Sequence, residues 1–115
     1  MRVCSLLLVA LWLITIPAFA SKPSPGAKRG ADKQYRLGKA ALKAGKKDEA
    51  AQHFRNCVKL LMSHAACHMN LGIIYGSKGN KGPACTHYKK YLELTPNGKH
   101  AGSVRIIVKK LGCKP

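Results

Sequence analysis

The chain resembles itself at an offset of 34 residues, and no other feature restricts its fold so strongly. Ala31 to His64 reads ADKQYRLGKAALKAGKKDEAAQHFRNCVKLLMSH, and Ala65 to Gly98 reads AACHMNLGIIYGSKGNKGPACTHYKKYLELTPNG. Laid over each other, Leu37-Gly38 meets Leu71-Gly72, Gly45 meets Gly79, Ala50 meets Ala84, and Phe54 meets Tyr88. A unit of this length buries its apolar face only against a neighbour like itself, so the period implies stacked helical hairpins.

Helical spacing of apolar residues places five helices. The first runs from an Asp32 cap to about Ala44. The second opens on Asp48 and Glu49, whose charges suit the positive end of a helix dipole, and runs to about Leu61. Ser63 is the expected cap of the third, His64 to about Ser77. Pro83 sits in the first turn of the fourth, which ends near Leu94. The fifth, Lys99 to Leu111, has no hairpin partner after it and is expected to cap the array.

The second copy resembles the tetratricopeptide repeat. The pattern W-x2-L-G-x2-Y, A-x3-F, P stands here as His68-x2-Leu71-Gly72-x2-Tyr75, Ala84-x3-Tyr88 and Pro96, with His for Trp and Tyr for Phe. The first copy is looser, carrying Gln34, Leu37-Gly38, Ala41, Ala50 and Phe54, with Met62 in place of the closing Pro. The pattern has a physical basis. Small residues at Gly38, Gly72, Ala50 and Ala84 let the helices of a hairpin approach, and Phe54 and Tyr88 fill the gap between them. Gly45 and Gly79 supply turns at positive φ. The expected fold is therefore all-α: two hairpins, residues 31–64 and 65–98, and a capping helix over 99–111, forming a short α-solenoid domain over 32–115.

Met1 to Ala20, MRVCSLLLVALWLITIPAFA, joins one Arg to an apolar run and ends in Ala-Phe-Ala. This is the order of a secretory signal peptide cut after Ala20. An uncleaved membrane anchor is the alternative, although the run is short for a span. The expectation is export, to a periplasm if the source is bacterial and otherwise by secretion. Residues 21–31, SKPSPGAKRGA, carry no large apolar side chain and read as a disordered basic linker.

Cleavage would leave 95 residues holding 20 basic side chains against four acidic ones, a formal charge of +16. Such a balance favours anionic partners. Four cysteines remain, Cys57, Cys67, Cys85 and Cys113, and an even number in a small exported chain reads as disulfides. Three pairings are open. Cys57 and Cys67 flank the turn at Met62-Ser63 almost symmetrically. The fifth helix runs back towards Cys85, bringing Cys113 near it. Antiparallel packing therefore ranks Cys57–Cys67 and Cys85–Cys113 first. The alternative use of Cys57, His64, Cys67 and His68 is a zinc site, since zinc takes such ligands. The pairing into disulfides is the stronger reading, and no metal or other cofactor is expected.

Catalysis is not expected. Three of the four carboxylates fall at predicted helix starts, no Ser-His-Asp spacing occurs, and the Gly79–Gly82 turn lacks the full phosphate-loop pattern. His53, His87 and His100 read as surface residues. A binding surface remains. The resemblance implies a concave groove lined by the first helices of the hairpins, here Tyr35, Lys39 and Lys43, then Met69, Asn70, Ile73 and Ser77. Asn70 matches a groove position that can bond a peptide backbone. The implied role is a protein–protein scaffold holding an acidic or extended segment of a partner. The competing reading is a binder of an anionic polymer, such as nucleic acid, lipopolysaccharide or acidic glycan. No specific nucleic-acid recognition is expected, because only Tyr35 is placed to offer a stacking face. Self-association through the exposed ends of so short an array is a third possibility.

Overall fold

A computed structural model describes residues 21–115; the expected signal peptide lies outside the described residues. Five helices follow in order: α1 Pro25–Lys43, α2 Lys47–Leu60, α3 Ala65–Ser77, α4 Lys81–Leu94 and α5 Ala101–Lys110. No strand occurs among the described residues. No helix among them is long and apolar enough to cross a membrane. α1 packs on α2 and α3 on α4; the two pairs meet through α2 and α3, and α5 lies against α4.

The hairpins close on the notch that the repeat predicts. Gly38 of α1 faces Phe54 of α2, and a Cβ built on Gly38 would lie 2.7 Å from the Phe54 ring. Gly72 of α3 faces Tyr88 of α4 in the same way, at 2.8 Å. Phe54 is wholly buried in a first core with Ala31, Ala41, Ala50, Cys57, Cys67, Leu71 and Ile74. Tyr88 is buried in a second, with Ala84, Tyr91 and Val104 of the cap. The turns inside the hairpins follow one scheme. Gly45 and Gly79 take φ of 75° and 77°, where a side chain would be strained. Beyond each, Lys46 donates back to the Ala41 carbonyl and Asn80 to the Tyr75 carbonyl, closing the helix ends.

The expected linker needs correction. Residues 25–31 are the first two turns of α1, and the disordered reading holds for none of them. The Ser24 hydroxyl accepts from the Ala27 amide at 3.1 Å, and Pro25 follows at the first helical position. The lack of large side chains, which suggested disorder, serves packing instead. Ala31 is fully buried, and Gly30 lies close to Leu60 of α2. Asp32 is accordingly no cap. Its carboxylate reaches His64 Nε2 at 3.2 Å, while His64 Nδ1 accepts the Cys67 amide at 3.3 Å. His64 therefore caps α3 in place of the expected Ser63.

Both bridges, Cys57–Cys67 and Cys85–Cys113, are present, with Cα separations of 6.4 and 5.5 Å. The first ties α2 to α3, and the second ties α4 to the segment after α5. Near the first hairpin's turn, Asp48 pairs with Lys78 at the end of α3. That hydrogen bond and charge hold the Asp48 carboxyl below its ordinary range.

Three substitutions test this packing. Gly72→Ala drives a methyl group into a buried ring and is expected to lower stability by about 1–3 kcal/mol in urea unfolding. Gly102→Ala, in α5 with nothing within 4 Å, is expected to raise it by about 0.5–1 kcal/mol. Removing the second bridge as Cys85→Ser/Cys113→Ser is expected to cost about 2–4 kcal/mol. Hydrogen exchange should show α5 opening first.

Candidate functional site

The residues that the resemblance places in the groove divide into an exposed set and a buried one. Lys39 and Lys43, one turn apart on α1, are exposed, as are Ser77 and Ile73 on α3, with Ile73 46% open. An accessible isoleucine on α3 offers an apolar anchor, one turn from the Ser77 hydroxyl. The Ser77 hydroxyl itself donates to the Ile74 carbonyl at 2.8 Å.

Three groove residues do not stand free. Asn70 is only 6% exposed, and its amide nitrogen donates to the Ala66 carbonyl of its own helix at 2.7 Å. Met69 is half-buried against the second core. Tyr35 is half-buried too, its ring 6.2 Å from Phe54 and 5.3 Å from His64 between centroids. Its remaining face lines a recess of about 480 Å³ with Arg29, Asp32, Lys33 and Arg36. Of its basic side chains only Arg29 falls in the stretch read from sequence as linker. Lys33 and Arg36 lie on the expected first helix, and the added helical turns of residues 25–31 bring Arg29 beside them.

All four side-chain carboxylates are already matched: Asp32 with His64, Asp48 with Lys78, Glu49 with Lys46, and Glu93 with Lys90. The remaining lysines and arginines have no side-chain carboxylate left within the chain. Their field is directed outwards.

A second feature stands on the face built by α2 and α4. His68 Nε2 donates to the Met62 carbonyl at 2.9 Å, so in the neutral ring Nδ1 carries the lone pair. That Nδ1 lies 3.0 Å from His87 Nδ1, which donates to it. Tyr75 stacks on the His87 ring at 5.6 Å between centroids and 13° between planes, and Arg55 donates to the Tyr75 hydroxyl. The pair forms one wall of a pocket of about 460 Å³ that Val58, Met62, Thr86, Lys89, Lys90 and Glu93 complete. His87 is thus no surface residue. The signal was in the sequence: His68 fills the position where the repeat pattern carries a packing Trp, and an imidazole buried there needs a polar partner.

Burial pushes the His87 imidazole down to about 4, assisted by the neighbouring His68. Burial also lowers His68, against the opposing pull of its bond to the Met62 carbonyl. Elsewhere Cys57, His64 and Cys67 cluster within 4.8 Å of one another. With both sulfurs joined in the bridge, no thiolate is offered to zinc there.

The lowered histidines set a pH dependence. A ring that titrates lower when folded leaves stability intact above about 6.5 and removes it as pH falls towards about 4. Allowing for its partial exposure, His87 is expected to account for about 1–2 kcal/mol over that window. Unfolding midpoints between pH 7 and pH 4.5 should fall more steeply in the parent chain than in His87→Asn.

The tetratricopeptide repeat family matches the chain twice, over residues 34–60 and over residues 65–97. Together the two matches span more than half of the sequence. No curated protein matches it. Domains of this kind are in general non-catalytic modules that hold protein or peptide partners. Two matched repeats, each on its own helical hairpin with its own glycine notch, show that the chain belongs to the tetratricopeptide repeat family.

Proposed function

We propose that the protein is an exported adaptor that holds an acidic, extended segment of a partner protein against the first helices of its hairpins. The observation that carries this reading is the pairing of every side-chain carboxylate within the chain, which leaves Lys39 and Lys43 exposed without an internal counter-charge. Ile73, exposed on α3, supplies apolar contact, and complementary charge steers the encounter and sets the register. Asn70, held by its own helix, serves chiefly to fix α3. Export is supported by the leader-like order of residues 1–20 and by two disulfides, which persist in oxidising compartments.

A second reading rests on the recess of α1. Arg29, Lys33 and Arg36 converge there beside Tyr35, an arrangement that suits an anionic polymer bound through its backbone charge. Fluorescence anisotropy with a labelled acidic peptide, alongside heparin chromatography, separates the two. Lys39→Glu/Lys43→Glu is expected to weaken peptide binding by about tenfold or more and to change heparin retention little. Arg29→Glu/Lys33→Glu/Arg36→Glu should do the reverse under the polymer reading. Peptide binding untouched by the first pair of changes, yet abolished by moderate salt, would sink the adaptor reading.

A further inference from the structure

We propose that His68 and His87 form a binding site for a divalent transition-metal ion, with Cu²⁺ the best fit, in the pocket between α2 and α4. This site is separate from the groove and does not depend on it. The groove residues are Tyr35, Lys39 and Lys43 of α1 and Met69, Asn70, Ile73 and Ser77 of α3. The pocket is walled by Val58 of α2, the Met62 turn, His68 of α3 and residues of α4, and none of the groove residues lines it.

Three observations carry the proposal. The first is the approach of the two Nδ1 atoms to 3.0 Å. Two nitrogens each about 2.0 Å from one ion stand about 2.9 Å apart at a right angle and about 3.3 Å apart at a tetrahedral one. The separation falls between these two values and fits two neighbouring ligands of one ion. Cu²⁺ heads the affinity order for nitrogen ligands.

The second is the outer support. A ligating imidazole generally donates its other N–H to a carbonyl or carboxylate, which fixes tautomer and ring direction. His68 has that arrangement through the Met62 carbonyl. Tyr75 stacks on the His87 ring and limits its rotation. The two rings come from different helices, 19 residues apart, so the pair is assembled by the hairpin itself.

The third is access. The pocket opens beside the pair, leaving an ion free positions for water or another ligand. The ion would lie off the Nδ1–Nδ1 line, on the pocket side. For it to enter, the proton that His87 Nδ1 shares with His68 moves to His87 Nε2 by exchange with water. That is a change of tautomer with no net loss of a proton. Lys90 in the same pocket is matched by Glu93 at 3.1 Å. Lys89 has no such match, so an anion is favoured as the further ligand.

The test uses Cu²⁺ alone, added to the purified full chain with both disulfides formed. Calorimetry and electron paramagnetic resonance are the readouts. Expected are one equivalent bound and nitrogen couplings from two imidazoles. Affinity should fall by at least about tenfold in both His68→Asn and His87→Asn, with His53→Asn and His100→Asn unchanged. Asn keeps a hydrogen-bonding atom near the place of Nδ1, so a purely structural pair would tolerate it. Equal binding by the parent chain and by either pocket variant overturns the proposal, as does tighter binding of Zn²⁺ than of Cu²⁺. Should the Asn variants fail to fold, nitrogen-labelled imidazole spectra of the parent chain decide. Substoichiometric Cu²⁺ broadens His68 and His87 first if the site exists. Broadening of His53 or His100 first, or of all rings alike, refutes it.

Discussion

The fit of an aromatic ring into a glycine notch is the interaction on which the remaining structure depends. At Gly38 and Gly72 the missing Cβ is the space that Phe54 and Tyr88 occupy, and the rings reach closer than any side chain would permit. Once a ring is seated, the helices of a pair are fixed in separation and in register. Close-packed interiors tolerate neither a void nor an added methyl group at such a point. The register then decides which side chains reach solvent, including Lys39, Lys43 and Ile73.

The notches act within hairpins, and the disulfides act between elements that the notches do not join. Cys57–Cys67 links α2 to α3, and Cys85–Cys113 links α4 to the end of α5. These are also the junctions with the less extensive packing. Two repeats make a small core, and a chain with 21 basic residues against four acidic ones repels itself. Covalent links placed at the weaker junctions oppose both effects, because they restrict the unfolded chain whatever the charge on the folded one. The surplus charge can then be kept for partners.

The helix pairs, their turns and the notches were legible because each rests on a residue type that repeats at a fixed offset. The cysteine pairing was legible because antiparallel helices put residues at equal distances from a turn face to face. The start of α1 was not. Ser24-Pro25 is a helix-opening pair, but Gly26, Gly30 and two prolines in eleven residues weigh towards disorder. What overrides them is the burial of Ala31 and the contact of Gly30 with Leu60, which no local pattern encodes. The His64 cap escaped notice because serine is the commoner capping residue, and the choice was decided by Asp32 arriving from α1. His87 escaped for a similar reason. An imidazole beside charged residues on a helix reads as surface until the facing helix supplies His68.

The second bridge also spans an exposed connection between helices. Lys99, between the end of α4 and the start of α5, lies inside the loop that Cys85 and Cys113 close and is open to solvent. A trypsin-like protease that severs the backbone after this lysine would release nothing, since sulfur still joins the pieces on either side. The damaged molecule would migrate at full size until a reductant was added and would then fall into two fragments. A chain built in this way can survive digestion at that connection with its helices still in place.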